Sequence, residues 1–322
     1  MRRAAAVLAA AVALGGCAVL APPQTSALLA AGAMPAGLPD RVEHTGAPFF
    51  PQTPYHCGPA ALATALGHAG LRVAPDALAR AVFLPSRQGS LQTEMLAAAR
   101  RAGAAAYRLP GELQALLQEV AAGQAVIVLQ NLGLAIAPRW HYAVVIGYDL
   151  PQRELILRSG VTRRERMSLA TFEHTWARGG HWAIVPLPPG RLPVTVTRAG
   201  AVEAALGFER VASPADAAST YRALLARWPD EPVAGMGLGN VLLAGGDEAA
   251  AAAAFERVAR AHDHAAAWNN LAQVQLRRGR LDDALQAAEQ AVRLATGEQA
   301  RWAVNAQATL DEARRRQRLA AR

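Results

Sequence analysis

Two stretches of the C-terminal half carry the same pattern. Leu238-Gly239, Leu242, Gly246, Ala251 and Phe255 line up with Leu271-Ala272, Gln275, Gly279, Ala284 and Ala288 at a constant offset of 33 residues. A chain that repeats itself at that period in alanine-rich sequence has few folds open to it. Each unit is a helical hairpin whose apolar face cannot be buried alone, so the units must stack. The small residue after Leu lets two helices approach closely, Gly246 and Gly279 supply the turns, and Ala251 and Ala284 sit where helices cross. Trp268 opens the second unit. A degenerate unit precedes the pair, with Ala217, Tyr221 and Pro229 at matching places, and residues 298–320 are expected to form a capping helix over the end repeat.

The offset is one short of the 34 residues of the tetratricopeptide repeat, which this pattern resembles. The resemblance implies an all-α helical domain over 199–322 with a groove for a peptide or partner protein. Upstream, Pro188-Pro189-Gly190 opens a linker over 189–198.

The preceding stretch, 41–188, has a different grammar. After a short extended piece near Val42, apolar spacing is helical over 59–70, from Pro75-Asp76 to Val82, over 91–103 and over 113–122. The character then turns to sheet. Ala125-Val126-Ile127-Val128-Leu129-Gln130 is a buried-strand pattern, 141–148 a second, 154–158 a third and 182–186 a closing one. Asp149-Leu150-Pro151-Gln152-Arg153 makes a hairpin turn between the second and third. Helices first and antiparallel strands later define an α+β domain.

The chemistry concentrates at the helix start in Pro51-Gln52-Thr53-Pro54-Tyr55-His56-Cys57-Gly58-Pro59-Ala60-Ala61-Leu62. A cysteine on the first turn of a helix meets unpaired backbone N–H groups, which favour the thiolate and predict a lowered pKa. A Gln lies five residues upstream, and a His opens the strand His141-Tyr142-Ala143-Val144. Together these segments resemble the double-glycine leader peptidase family of bacteriocin processing, over residues 42–187. The resemblance implies a papain-like cysteine peptidase with Cys57 as nucleophile and His141 as general base and acid. Gln52 would be an oxyanion donor beside the backbone N–H of Cys57, and cleavage would follow small residues such as Gly-Gly.

Two departures stand out. The family has six residues from Gln to Cys, against five here, and its third member is an Asp in a turn about two strands after the His. This chain has Leu157-Arg158-Ser159-Gly160 in that region. Asp149 lies eight residues along the strand from His141, roughly 26 Å at ~3.3 Å per residue, so it cannot orient the ring. Across a hairpin centred near Pro151, the partner of His141 falls at 159–161. Ser159 is the expected orienting group, with Asn131 the alternative. His56 adjoins the nucleophile but points elsewhere, as a cleft or surface residue.

Residues 1–16 read as a secretory signal: Arg2 and Arg3, an apolar core, then Leu14-Gly15-Gly16-Cys17, which resembles a bacterial lipobox. The resemblance implies cleavage before Cys17 and lipid on its sulfur, leaving Cys57 as the free thiol of the two cysteines. Residues 17–40 then read as the lipidated cysteine and a tether. Ala18, where an inner-membrane retention signal would place Asp, predicts an outer-membrane lipoprotein facing the periplasm.

The net charge of +8 is carried by Arg alone. Its two clusters, Arg163, Arg164 and Arg166 and then Arg314, Arg315, Arg316 and Arg318, lack interleaved aromatics, so nucleic acid is not expected as a partner. No metal-ligand spacing and no phosphate loop occur, and no cofactor is expected. The partners expected are a peptide or protein substrate, a protein held by the repeats, and the membrane through Cys17. Three functions fit: an envelope-anchored cysteine peptidase, a catalytically inactive papain-like scaffold, and a thiol enzyme doing amide hydrolysis or transfer on another substrate.

Overall fold

A computed structural model describes residues 22–30, 37–52, 55–84 and 89–322; the signal segment and Cys17 lie outside the described residues. The chain divides into two compact units, one ending at Pro188 and including Pro193–Thr197, the other Pro189–Leu192 with Arg198–Arg322.

In the first unit, helices α1 (Pro23–Leu29), α2 (Cys57–His68), α3 (Pro75–Val82), α4 (Gln92–Arg101), α5 (Leu113–Ala121) and α6 (Leu169–Ala177) surround a sheet. Its strands are β1 (Arg41–Glu43), β2 (Ala105–Arg108), β3 (Val126–Asn131), β4 (Trp140–Asp149), β5 (Glu154–Ser159), β6 (Thr162–Ser168) and β7 (Ala183–Leu187). The order is β2-β7-β3-β4-β5-β6, with β1 paired to the end of β4 and every pairing antiparallel. This is the expected α+β arrangement. Helix α2 is apolar on all sides and buried from Gly58 to Leu66, as a helix at the centre of a core must be. Ile127 and Leu129 of β3, and Tyr142, Val144 and Ile146 of β4, alternate onto the core it shares with α3 and α4.

Besides α1, three elements add to those the periodicity predicts. β2 is alanine-rich, while β6 reads Thr162-Arg163-Arg164-Glu165-Arg166-Met167-Ser168 and is largely exposed, so neither shows apolar alternation. The edge position of β6 explains its charges, which guard an open ladder. Arg164 pairs with Glu43, and Arg166 with Glu154 and Asp149. The third is α6, capped by the Ser168 side chain accepting from Thr171 N–H.

The expected tether contains folded structure, which corrects that reading. The N–H groups of Gln24 and Thr25, in the first turn of α1, donate to the carboxylate of Glu173 at 2.8 and 2.5 Å, and Gln24 Oε1 accepts from Leu113 N–H. Glu173 is buried, and it satisfies amides that a helix start leaves unpaired. Glu173→Ala is expected to destabilise the first unit by about 3 kcal/mol, because it strands one buried and one half-buried donor. Thermal unfolding, with limited proteolysis near residue 30, checks this.

The second unit is helical throughout: α7 (Arg198–Glu209), α8 (Pro214–Arg227), α9 (Pro232–Ala244), α10 (Glu248–His262), α11 (Ala265–Arg277), α12 (Leu281–Leu294), a 3-10 turn (Gly297–Trp302) and α13 (Ala303–Ala320). Gly246 and Gly279 turn the chain with φ of 85° and 71°. A Cβ on Gly239 would lie 2.4 Å from the Phe255 ring, so α9 and α10 touch here at a distance that leaves no room for the methyl group Ala272 carries in the next unit. Gly239→Ala is expected to cost about 2 kcal/mol by overpacking, read as a loss in denaturant midpoint at unchanged slope. The terminal arginines are a solvated face, with Arg314 on Glu289 and Arg315 and Arg316 on Glu312.

Candidate active site

Cys57 is the first residue of α2. Its sulfur is within hydrogen-bond reach of the backbone N–H of Tyr142, and the N–H groups of Gly58 and Cys57 also act on it. Because Tyr142 follows His141 on β4, this contact brings the thiol to the strand end that carries the histidine. The approach to the helix is tight. Tyr55 takes a left-handed backbone, φ 68°, an unfavourable state for a non-glycine residue, and a Cβ on Gly58 would stand 2.5 Å from Ser90 Oγ. The Tyr142 hydroxyl donates to Ser90 carbonyl at 3.2 Å, tying β4 to the residue that Gly58 faces. Neither Ser90 nor Tyr142 is marked by the sequence; only the Cβ-free Gly58 hints at a close neighbour.

His141 Nε2 lies 2.9 Å from Ser159 Oγ. The β4–β5 hairpin sets that meeting, with Val144 opposite Arg158 and a bulge between Val145 and Gly147 shifting the register. Asn131, the alternative orienting residue, is occupied elsewhere: its Oδ1 accepts from Gly133 N–H and Arg139 N–H and shapes the β3–β4 connection. Nδ1 of His141 has no hydrogen-bond partner among the described residues. Gln52 donates its backbone N–H to Gly160 carbonyl at 3.1 Å, next to Ser159. Its side chain makes no hydrogen bond among the described residues. His56 stacks edge-on against Phe83, centroids 5.1 Å apart, and is not placed as a base.

The electrostatics correct one expectation. Burial pushes the Cys57 thiol up, and this outweighs the N–H groups that favour the thiolate. Burial likewise pulls His141 down, with Glu165 opposing and Arg139 adding to the shift. Both shifts disfavour a resting thiolate–imidazolium pair, so the helix start does not produce the lowered thiol pKa that its position suggests. Both directions favour the neutral thiol and the neutral imidazole. Among the described residues no group of His, Cys, Asp and Glu is placed to hold a metal ion. No helix among them is long and apolar enough to cross a membrane.

A half-buried thiol at a helix start, a histidine on a strand and a hydroxyl hydrogen-bonded to that histidine are the residue types a cysteine hydrolase uses. Residues 44–184 match the Peptidase_C39 like family, and 202–263 and 236–298 match the tetratricopeptide repeat. The first unit is thus a C39-like peptidase domain and the second a set of tetratricopeptide repeats, a peptidase-like fold carried with protein-binding repeats. Among solved structures the chain is similar to a protein from Bacillus anthracis described as a C39-like peptidase, at TM-score 0.38 and 20% identity over 46% of this chain and 97% of that one. It is also similar to the Yersinia enterocolitica type III secretion translocator chaperone SycD, at TM-score 0.34 and 17% identity over 37% and 83%. A third is PcrH from Pseudomonas aeruginosa, at TM-score 0.34 and 19% identity over 36% and 90%. No protein of curated function matches the chain.

Proposed function

We propose that the chain is a cysteine peptidase that works through Cys57 and His141, held at the outer membrane by lipid on Cys17, with the repeats presenting a substrate or partner. The observation that carries this is the Cys57 sulfur set against the amide beside His141, whose other face is tied to Ser159. From the neutral pair, His141 Nδ1 takes the thiol proton as sulfur attacks the peptide carbonyl. The oxyanion meets the Cys57 N–H and the Gln52 amide, and His141 then returns the proton to the departing amine. Water, deprotonated by the same ring, releases the acyl group and restores the thiol.

This sequence needs the tautomer with hydrogen on Nε2, donating to Ser159. A carboxylate would enforce that tautomer and stabilise the imidazolium, whereas a hydroxyl donates or accepts and so holds the ring while leaving the tautomer open. Slow or tightly restricted turnover follows. Because His141 sits below the ordinary histidine value of 6.5, its basic form persists on acidification, and the acid limb of the rate profile is expected below pH 6.5. Ser159→Asp is expected to move that limb upward, since an adjacent negative charge favours the imidazolium. An unmoved limb would count against the Ser159–His141 coupling.

The absent carboxylate also supports a second reading, a scaffold that keeps the fold without turnover. New peptide termini generated from a denatured protein mixture by the wild type but not by Cys57→Ala would decide for the peptidase. Identical termini from both proteins would decide for the scaffold.

A further inference from the structure

The connection between β3 and β4 is a hairpin arm that the peptidase chemistry does not use. Leu132 N–H donates to Arg139 carbonyl, and Leu134 and Ala137 form a bridge around the tip. Asn131 Oδ1, bonded to Gly133 N–H at 2.9 Å and Arg139 N–H at 2.8 Å, clamps the base. The arm is ordered by its own backbone, yet its side chains point to solvent. Ile136 is 92% exposed, Leu134 67% and Trp140 56%. Isolated exposed apolar residues are ordinary; several of this size on one clamped tip mark an interaction site.

The arm's shape and charge select the occupant. Every residue from 134 to 140 is exposed, so the tip is a protrusion without walls to enclose a peptide. A convex apolar tip fits a continuous apolar medium. An aromatic residue at its base and an arginine beside it suit the boundary between acyl chains and headgroups. No Asp or Glu occurs between Asn131 and Asp149, and the Arg178 guanidinium donates to Asn131 carbonyl at the base, a charge complement to anionic headgroups. The N-terminal segment meets the same region: α1 is held by Glu173 of α6, and Arg178 is the residue that ends α6. In the anchoring read from Leu14-Gly15-Gly16-Cys17, four residues separate Cys17 from Pro22, a reach over the five steps of at most about 17 Å.

We infer that the Leu132–Arg139 arm, through Leu134, Ile136 and Trp140, inserts into the lipid surface and holds the Cys57–His141 site at the membrane face. Trp140 is the residue before His141, so insertion fixes the height of the site directly. The inference rests on the anchoring reading but not on turnover.

The test places tryptophan at the tip. The full chain carrying Ile136→Trp is incorporated in vesicles of phosphatidylethanolamine and phosphatidylglycerol, with and without bromines on the acyl chains, and its emission is compared with the unaltered chain. The added emission should be quenched at least about twofold by the brominated acyl chains and shielded from aqueous iodide. Quenching that persists with Cys17→Ser, or that requires Cys17, supports the arm in either case and tells how far the anchor brings it there. Emission open to iodide and indifferent to bromine overturns the proposal. So does shielding that appears only when an apolar peptide is added, which would assign the arm to substrate. Because the readout does not involve the thiol, its failure leaves the peptidase reading standing, and an inert Cys57 leaves the arm standing.

Discussion

Cys57→Ala is expected to lower kcat/KM for peptide cleavage by roughly 10⁴-fold or more, as loss of the attacking atom does where nucleophile and base act as one unit. The fold should survive. Cys57 is half-buried at the first position of α2 and packs at the edge of the core, while the helix is held chiefly by the fully buried apolar run from Ala60 to Leu66. An unchanged unfolding midpoint with lost turnover identifies chemistry, whereas a lowered midpoint would identify packing. Cys57→Ser should be nearly as inactive, because a neutral imidazole held by a hydroxyl is a weak base for an alcohol, whose proton is far less acidic than a thiol's.

Gln52→Ala is expected to cost about 3 kcal/mol in the transition state, roughly a hundredfold in kcat with little change in KM. An oxyanion donor meets charge that exists only after attack, so the effect belongs to kcat. The substitution leaves the anchor intact, since Gln52 holds Gly160 through its backbone N–H. Gln52→Glu should be worse than Ala, because it puts a carboxylate where negative charge develops. A change confined to KM would mean that Gln52 shapes the cleft and does not meet the oxyanion.

Much of this architecture was legible because it is periodic or punctuated. The 33-residue offset gave the helical hairpins, and the glycines at 239, 246 and 279 marked a close approach and two turns. Helix α2 and strands β3, β4, β5 and β7 declared themselves by apolar runs. β6 did not, because an exposed edge strand has no apolar face, and α1 did not, because its partner Glu173 is 149 residues away from Gln24. The hairpin count across Pro151 reached Ser159 through a bulge it could not see. Asn131 was the alternative, and what removed it was a local commitment to Gly133 and Arg139 that no sequence pattern shows. The thiol was misjudged for a similar reason. Helix-start amides are visible in a sequence, while the desolvation that opposes them comes from burial that only the tertiary packing creates.

The neutral pair gives the site a signature that needs no substrate. A thiol raised by burial reacts slowly with an alkylating agent unless a base relieves it of its proton during attack, and His141 is the base that the site provides. The deciding measurement is the rate of iodoacetamide addition to Cys57 at pH 7 in the chain carrying Cys17→Ser, compared with the same chain carrying His141→Ala. Loss of the base should slow alkylation at least about tenfold, with unfolding midpoints alike. Equal rates in the two proteins would mean that Cys57 and His141 do not work as a pair, and the peptidase account would fail.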